Sequence, residues 1–401
     1  MWNRINTCLL SFVLCYIKIY ERCFQYEKIS DNLTDRTGLV RDSGIELLKI
    51  IAILLIVIFH VVQTLCSENF FIPQNDYVVD LSVATTDVRN FVLTLFSYFG
   101  AMGNLIFFVC SAWFLLRSSK YNKRKCFFMI FEVWFVSVTI LVVTSIIRHG
   151  DISGKILIKS IMPTTFGSNW YLTCYLLFYP IHPILNSIIN KMNRQQLFRA
   201  SVSLFILYCC FGFIKKDLFF SSYIIVWVTI YFVMAYLQLY MDNFMKSSKK
   251  NLVLLVAGFA GYICVAILVN VLGLSLNNNV NPFLIAISIS LFNLMRKLAF
   301  KNKAINYISS LSLLIYIIHE NIILRTYYRP AMWDYIYQNF GYDKLLLWVF
   351  VLALLVFAFG FVSSVIYDKT IRRMLQKVCD NIYFAMRTFY LRVEAIMLKM
   401  H

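Results

Sequence analysis

Long apolar segments dominate this chain and set the strongest limit on its fold. Ten such segments occur within its 401 residues, and short polar loops separate most of them. They cover residues 45–66, 91–116, 126–147, 170–189, 198–214, 218–241, 251–271, 281–295, 304–324 and 344–366. Hydrocarbon offers the backbone no hydrogen-bond partner, so apolar segments of about 20 residues cross it as helices. The sequence therefore predicts an all-α polytopic membrane protein with about ten transmembrane helices.

The charged residues fall in a pattern that orients these segments. The chain is 60% hydrophobic and 14% charged, with a formal net charge of +18. Basic residues gather in alternate loops, around 117–125, 191–199, 246–250 and 296–303, and the loops between them are poorer in positive charge. Short cytoplasmic loops of membrane proteins carry this excess of Lys and Arg. We therefore expect both termini in the cytoplasm, and the same clustering argues against nucleic acid as a partner.

Three regions follow from this partition. We expect a basic cytoplasmic or interfacial leader at 1–44, a membrane domain at 45–366 and a basic amphipathic helix at 367–401. Such a helix is typical of a segment that lies on the anionic inner leaflet, and it could instead dock on a partner. The eleven cysteines have neither disulfide-framework nor metal-ligand spacing. The sequence therefore predicts no metal site.

The first apolar segment carries three ionisable residues, Glu46, Lys49 and His60. Eleven residues separate Lys49 from His60, which puts both near one helix face and about 16 Å apart along the axis. We expect Lys49 near a membrane boundary and His60 near the bilayer centre. A histidine there can be a structural hydrogen-bonding group, or it can act as a general base or transient nucleophile. We interpret all three as catalytic, with Lys49 binding an anion and Glu46 holding the lysine.

Four sequence blocks, in order, extend this interpretation. They run from Ile45 to His60, from Gly103 to Leu115, from Asn169 to Asn186 and from Ser312 to Asn321. Together they resemble the signature segments of acyltransferase family 3, the ten-span O-acyltransferases that decorate bacterial surface glycans. Lys49 stands where the family usually has arginine, which keeps the charge without the bidentate fork. Ala112 stands where the second block usually has glycine.

The resemblance implies a reaction and its participants. An acyl group, usually acetyl, would move from cytoplasmic acyl-CoA to a hydroxyl of a surface polysaccharide or its lipid-linked precursor, across a bacterial plasma membrane. His60 would take the essential histidine role, and Lys49 that of the family's cation. The His-Glu-Asn sequence at 319–321 is similar to members from exopolysaccharide and capsule clusters. Some relatives complete the transfer with an extracytoplasmic domain, so here we expect either the bundle or other polysaccharide-assembly proteins to do so.

The blocks and the residues that follow them also supply candidates for substrate binding. These are Arg117, Ser111, Trp170, Tyr171, Tyr175, His319, Glu320 and Arg325. For Arg117, the alternative to binding the anionic donor is snorkelling at the inner boundary. For the aromatic pair at 170–171, the alternative to stacking on a sugar ring is an interfacial aromatic belt. For the polar residues at 319–325, the alternative to an acceptor-side patch is a solvated helix end.

Two other function classes fit a polytopic chain. A transporter or flippase for a glycan or lipid-linked sugar also needs polar residues in its spans, but it predicts internal repeats and broken helices in both halves. The sequence shows no such repeat, and only the fourth apolar segment has a clear proline interruption. An assembly scaffold would leave Lys49 and His60 without a role. The sequence therefore favours the acyltransferase.

Overall fold

The structure is a computed structural model that describes residues 42–65, 81, 83–118, 120–214, 223–341 and 344–399. Nearly all of the predicted leader, at 1–41, lies outside this part of the chain, and that prediction stays untested. Within the described residues all regular secondary structure is helical and no strand occurs. The predicted all-α class is therefore confirmed.

Eighteen α-helices make up the described part of the chain. They are α1 (Ser43–Gln63), α2 (Val88–Ser97), α3 (Phe99–Leu115), α4 (Lys123–Ile147), α5 (Gly154–Ile161), α6 (Trp170–Phe178), α7 (His182–Lys191), α8 (Arg194–Leu204), α9 (Gly212–Ile214), α10 (Tyr223–Tyr240), α11 (Asp242–Lys246), α12 (Ser248–Leu272), α13 (Pro282–Met295), α14 (Lys303–Ser310), α15 (Ser312–His319), α16 (Arg329–Phe340), α17 (Leu345–Thr370) and α18 (Arg372–Lys399). Two π-helical stretches, Phe205–Phe211 and Leu324–Tyr328, and a 3₁₀ turn at Asn278–Val280 lie between them.

Seven helical segments of the described chain are long and apolar enough to cross a membrane. They are Ser43–Gln63, Val88–Leu115, Lys123–Ile147, Arg194–Ile214, Tyr223–Tyr240, Ser248–Leu272 and Leu345–Thr370. The bent pair α6 and α7 makes eight if it is one span. The chain is therefore a multi-pass helical membrane protein, and three of the ten predicted segments differ from straight spans.

The fourth predicted segment bends at its prolines. α6 ends at Phe178, α7 begins at His182, and the two helices are bent by 51°. Pro180 has no N–H for the helical ladder and its ring crowds the preceding turn, so a helix kinks there. Pro183 likewise cannot donate to the carbonyl of Tyr179 four residues earlier. The buried His182 meets this need, because its Nδ1 hydrogen-bonds that carbonyl.

The eighth predicted segment forms a helix that is short for a membrane span. The 14 residues of α13 rise about 21 Å, against roughly 30 Å of hydrocarbon. Asn281 caps its start by accepting the N–H of Phe283, and Pro282 favours a helix start at that position. α13 packs against α1, α3 and α12. Protein rather than lipid therefore surrounds much of this short helix.

The ninth predicted segment, 304–324, is not one helix. α14 and α15 are separated at Leu311, and α15 ends at His319. Beyond that point the side-chain oxygen of Asn321 accepts the N–H of Ile323, a local bond that competes with the helical ladder. Mean hydropathy does not register these breaks because the apolar residues on either side outweigh the few polar residues at each break. Irregular backbone in a membrane protein has to be buried in protein or line a cavity.

α1 has helices on several sides and packs against α2, α3, α13, α14, α15 and α17. Its approach to α3 depends on a glycine. A Cβ on Gly103 would lie 2.5 Å from the carbonyl oxygen of Ala52 and 2.6 Å from Cγ1 of Ile56. Small residues at such crossings allow membrane helices to approach closely. The second sequence block is therefore in direct contact with the first.

We expect Gly103→Ala to destabilise the protein. The added methyl group would meet a backbone oxygen, which cannot rotate away, and overpacking of this kind costs about 1–3 kcal/mol. The measurement is thermal unfolding of the purified protein in detergent. The matched control is Gly154→Ala, because a Cβ on Gly154 meets nothing within 4 Å. Equal melting temperatures for the two variants would contradict the close crossing of α1 and α3.

The C-terminal helix α18 packs against α4. Nε of Arg372 lies 3.1 Å from Oε1 of Glu132, a carboxylate inside α4 that is 1% exposed. Further along, Arg124 at the start of α4 forms an ion pair with Asp380. The buried Glu132 thus has a cationic partner that the sequence did not reveal. Contact of α18 with the inner leaflet stays a prediction.

Candidate active site

The structure brings His60, His319 and Glu320 together. Nδ1 of His60 lies 2.6 Å from Oε2 of Glu320 and 3.1 Å from Nε2 of His319. The three residues are almost fully buried, with 7%, 2% and 1% of their surface exposed, which does not fit a solvated helix end. We call them the histidine–glutamate cluster. It joins one residue of the predicted catalytic set to two of the predicted acceptor patch.

His60 lies in the last turn of α1. The helix ends at Gln63, and the hydroxyl of Thr64 donates to the carbonyl oxygen of His60 at 3.1 Å. The histidine is therefore close to one end of its helix, and its position near the bilayer centre stays a prediction. The last turn of a helix has carbonyl groups without helical partners, and these become binding points for other side chains.

The contacts of His319 determine which nitrogens carry protons. Its Nδ1 lies 2.7 Å from the carbonyl oxygen of Ile315, and this nitrogen donates because a carbonyl only accepts. Nε2 of a neutral His319 is then an acceptor, so Nδ1 of His60 carries the hydrogen that faces it and the Glu320 carboxylate. The lone pair of His60 is left on Nε2. An imidazole in this state is suited to accept a proton from a substrate.

Two arginines balance the buried carboxylate of Glu320. Nη1 of Arg325 lies 3.0 Å from Oε1, and Nη2 of Arg329 lies 3.9 Å from Oε2. A carboxylate this deeply buried needs such partners, because an unpaired buried charge is costly. The structure thus brings the predicted Arg325 to the cluster. It places the arginine against Glu320 rather than at a separate surface.

Arg329 is a site residue that sequence reasoning missed. It is 4% exposed, and it donates to the carbonyl oxygen of His60 at 3.1 Å and to that of His319 at 2.7 Å. One turn further along α16, Nε1 of Trp333 donates to the carbonyl oxygen of Val61 at 3.1 Å. α16 therefore holds the main chain of both histidines in place.

A sequence signal for these two residues existed. Arg325, Arg329 and Trp333 recur at four-residue spacing, which places them near one face of a helix. The stretch falls between the ninth and tenth apolar segments, so apolar length did not predict a helix there. The structure forms a π-helical stretch and then α16 there. Helical spacing, rather than hydropathy, was the informative pattern.

The cluster also has the donor set of a metal site. His60, His319 and Glu320 offer two imidazole nitrogens and a carboxylate oxygen within 4.8 Å of one another, a set that suits Zn²⁺ or Fe²⁺. The guanidinium groups of Arg325 and Arg329 already balance the carboxylate, and they would repel a divalent cation. The arrangement fits acid–base chemistry better than metal binding. The sequence-based expectation of no metal site stays a prediction.

Glu46 and Lys49 lie near the other end of α1, about 16 Å along the axis from His60 in the case of the lysine. We call this region the Lys49 end. Nζ of Lys49 lies 3.0 Å from Oε1 of Glu46, and Ser309 from α14 donates to Oε2 of the same carboxylate. The lysine side chain is 24% exposed and that of Glu46 is 9% exposed. The structure therefore separates these two residues from the histidine–glutamate cluster.

Arg117 also belongs to the Lys49 end. It follows the last turn of α3, and its guanidinium carbon lies 3.9 Å from the ring centroid of Trp113. Nζ of Lys49 lies 5.9 Å from the ring centroid of Phe114 in the same turn. Ser111 is half-buried on α3, and the polar contacts described for the histidine–glutamate cluster do not include it. The predicted binding residues thus divide between two ends of the bundle.

The three predicted aromatic residues lie on α6. The ring of Tyr171 meets that of Tyr316 edge-on at 6.2 Å between centroids, and Tyr316 lies 5.9 Å from the ring of His319. Trp170 and Tyr175 stack on other aromatic side chains instead. Only Tyr171 among the three is therefore connected to the cluster by these ring contacts, through a neighbour that belongs to the fourth block.

Two buried hydroxyl groups lie on α15 before the cluster. Ser312 and Tyr316 are each 5% exposed, and neither hydroxyl makes a hydrogen bond of normal geometry within the described residues. The hydroxyl of Tyr316 only approaches the backbone of Tyr171. Buried polar groups ordinarily have partners, and these two share a helix face with His319. This face therefore offers free hydrogen-bonding groups next to the histidines.

A family model described as an acyltransferase domain, of the type numbered 3, matches residues 42–367. The matched range begins at the residue that caps α1 and includes both the histidine–glutamate cluster and the Lys49 end. It ends before α18. Comparison with curated proteins found no match. Comparison with solved structures also found none.

Proposed function

Because the chain belongs to acyltransferase family 3, we propose that it is an O-acyltransferase of a bacterial plasma membrane. The family match and the membrane-length helices make it a membrane acyltransferase. In the proposed reaction, acyl-CoA from the cytoplasm is the donor and acetyl is the acyl group. The acceptor is a hydroxyl of a cell-surface polysaccharide or of its lipid-linked precursor.

The observation that carries the proposal is the buried pair of His60 and Glu320. Nε2 of His60 takes the proton of the acceptor hydroxyl while the hydroxyl oxygen attacks the thioester carbonyl. The imidazolium that forms lies 2.6 Å from the Glu320 carboxylate, which stabilises it. When the tetrahedral intermediate collapses, the C–S bond breaks and the proton passes to the coenzyme A thiolate. The products are the ester and free coenzyme A, and His60 is neutral again.

A covalent route uses the same nitrogen. Nε2 of His60 would attack the thioester, release coenzyme A and hold the acyl group until the acceptor hydroxyl arrives. Both routes need the lone pair on Nε2 and the carboxylate at Nδ1, so the observed geometry supports them equally. The overall reaction and its products are the same.

Donor and acceptor are proposed to reach the cluster from different ends. The Lys49 end carries positive charge suited to the phosphates of acyl-CoA, and Lys49 supplies it as a point charge rather than as a bidentate fork. The hydroxyls of Ser312 and Tyr316 then offer hydrogen bonds near the histidines. Tyr171, whose ring meets that of Tyr316, provides an aromatic ring close to the cluster for the acceptor sugar.

The acetyl content of the surface glycan in a deletion strain tests the proposal. We expect the deletion to remove acetyl from a glycan that is still exported, and the wild-type gene to restore it. Membranes from the strain with the restored gene should move label from radiolabelled acetyl-CoA to the purified glycan, and membranes from the deletion strain should not. Unchanged acetylation in the deletion strain would contradict the proposal.

A transporter of a glycan or lipid-linked sugar is the second candidate, and one observation favours it. The structure breaks two membrane segments, at the bend between α6 and α7 and again around α15, and transporters build substrate sites from discontinuous helices. The deletion strain separates the two functions, since loss of glycan export would indicate transport.

A further inference from the structure

Two arginines approach one buried tryptophan at the Lys49 end. The guanidinium carbon of Arg117 lies 3.9 Å from the ring centroid of Trp113, and that of Arg296 lies 4.2 Å from it. The tryptophan is 5% exposed. Each contact is a cation–π interaction by distance. The ring thus contacts two positive charges, one from the turn that follows α3 and one from the residue that follows α13.

The backbone around Arg117 is fixed by an asparagine. Nδ2 of Asn186, on α7, donates to the carbonyl oxygens of Leu115 and Ser118, both at 2.9 Å. The hydroxyl of Tyr231 in turn donates to Oδ1 of Asn186 at 2.7 Å. These bonds hold the end of α3 and the residues that follow it. Arg117 therefore projects from a defined position.

Arg296 is held in a similar way at the end of α13. Its N–H donates to the carbonyl oxygen of Phe292 at 3.0 Å. Gly44, at the start of α1, lies so close that an added Cβ would overlap the carbonyl oxygen of Met295. The ends of α3 and α13 and the start of α1 therefore meet where the two arginines do.

Among the described residues, no carboxylate pairs closely with either arginine. No ion pair of the described residues includes either arginine. Asp42 and Asp242 attract Arg296 from further away, but the first caps Gly44 and the second pairs with Lys246 at 2.7 Å. Burial, followed by the charge of Arg117, lowers the pKa of Arg296. Within the described residues, Nε of Arg296 is also buried without a hydrogen-bond partner.

We propose that Arg117 and Arg296, positioned by Trp113, bind a phosphate group of the nucleotide part of the acyl donor. Guanidinium groups bind phosphate oxygens through paired, charge-assisted hydrogen bonds. A bound phosphate would offset the repulsion between the two arginines and would give Nε of Arg296 an acceptor. This inference rests on the proposed function, because it assigns the site to coenzyme A.

The site differs from Lys49 in its chemistry. Glu46 already balances the lysine at 3.0 Å, whereas the arginine pair has no such partner among the described residues. The arginines also supply the bidentate geometry that the lysine lacks. Phosphate binding at this end of the bundle is therefore assigned mainly to the two arginines, with Lys49 as a neighbouring point charge.

Binding of coenzyme A to the purified protein tests this inference. The protein is placed in nanodiscs of neutral phosphatidylcholine, and titration calorimetry compares coenzyme A with pantetheine, which has no phosphate. We expect Arg117→Gln and Arg296→Gln each to weaken coenzyme A binding by a factor of about 10 to 100, the range for a hydrogen bond to a charged group. Pantetheine binding should not change. The matched control is Arg199→Gln, an exposed arginine on α8.

A phosphate could also come from a lipid headgroup, and a second arm distinguishes this source. If a lipid supplied the phosphate, the wild-type protein in nanodiscs with added phosphatidylglycerol would bind that lipid in preference to phosphatidylcholine. Both variants would lose this preference, and their coenzyme A binding would be the same as that of the wild type. Unchanged coenzyme A binding in both variants overturns the inference, whichever lipid is present. Thermal unfolding of each variant verifies that it is folded.

Failure of the phosphate-site inference can be distinguished from failure of the proposed acyltransferase function. If the wild type transfers acetyl from acetyl-CoA but both variants retain its KM for that donor, only the phosphate site is wrong. If the wild type transfers no acetyl, the proposed function fails first. His60→Ala should bind coenzyme A as tightly as the wild type, because it leaves the Lys49 end unchanged.

Discussion

His60→Ala should reduce acyl transfer by a factor of about 10² to 10⁴, the usual contribution of a positioned general base. The substitution removes the only ring nitrogen whose lone pair the contacts leave free in the histidine–glutamate cluster. His319 is displaced from the position of this nitrogen, since its Nε2 faces Nδ1 of His60 and its Nδ1 donates to the carbonyl of Ile315, so a base at position 319 would be one ring away from the reacting hydroxyl. The measurement is transfer of radiolabelled acetyl from acetyl-CoA to purified glycan by the protein in proteoliposomes.

The variant should still fold. Arg329 and Thr64 bind the carbonyl oxygen of residue 60, which alanine also provides. His149→Asn is the matched control, because His149 is an exposed histidine away from the cluster, and we expect it to retain wild-type transfer. Full transfer by a folded His60→Ala variant would show that His60 is not the base.

The second large effect is expected for Glu320→Gln, with a fall in kcat of up to about 10⁴, the loss seen when an amide replaces the carboxylate of a catalytic triad. The amide has no charge to stabilise the His60 imidazolium. Its NH₂ group can also donate to Nδ1 of His60, which would put the hydrogen on Nε2 and remove the basic lone pair. Steady-state kinetics should show a lower kcat with little change in KM for the donor.

This substitution also removes a buried charge, so stability has to be measured separately. Arg325 and Arg329 would lose their carboxylate, and breaking a buried pair typically costs about 3–5 kcal/mol. Glu132→Gln is the matched control, because Glu132 is equally buried and its carboxylate pairs with Arg372 rather than with a residue of the histidine–glutamate cluster. We expect a comparable loss of stability with wild-type kcat per folded molecule. A similar fall in kcat for both variants would mean that the Glu320 effect is only structural.

Residues within one helix could be placed from the sequence. Glu46, Lys49 and His60 all lie on α1, and their separation follows from helical geometry. Most of the predicted spans correspond to helices for the same reason, since apolar length is a local property. The family resemblance added the order of the four blocks, and the matched range of residues 42–367 agrees with it.

Contacts between helices could not be placed in this way. His60 and His319 are 259 residues apart in sequence, and no local pattern states which side chain meets which. The pairing of Glu320 with His60 therefore emerged only from the packing of α1 against α15. The sequence likewise did not show that Arg296 contacts Trp113 on α3, because Trp113 lies within an apolar segment.

The positions at which helices break inside apolar segments could not be predicted from the sequence either. The mean hydropathy of 304–324 stays high despite the polar residues where α14 and α15 separate and where α15 ends, so a window average treats the segment as one span. The end of α1 at Gln63, which places His60 in the last turn of its helix, is likewise absent from the apolar length of the first segment. Both features concern where backbone hydrogen bonds stop, which mean hydropathy does not report.

The contacts of Arg329 with carbonyl oxygens have a consequence for how this site tolerates change. Every amino acid supplies the same main-chain oxygen, so the location of positions 60 and 319 does not depend on which side chains they carry. Location and reactivity are therefore separable in this protein. In a His60→Gly variant, the guanidinium of Arg329 would keep its hydrogen bonds to the carbonyl oxygens of residues 60 and 319. The missing side chain would leave a cavity of the shape of one imidazole ring. Free imidazole has the size to fill that cavity and the basicity to act there as the general base. Added imidazole is therefore expected to restore transfer to the variant.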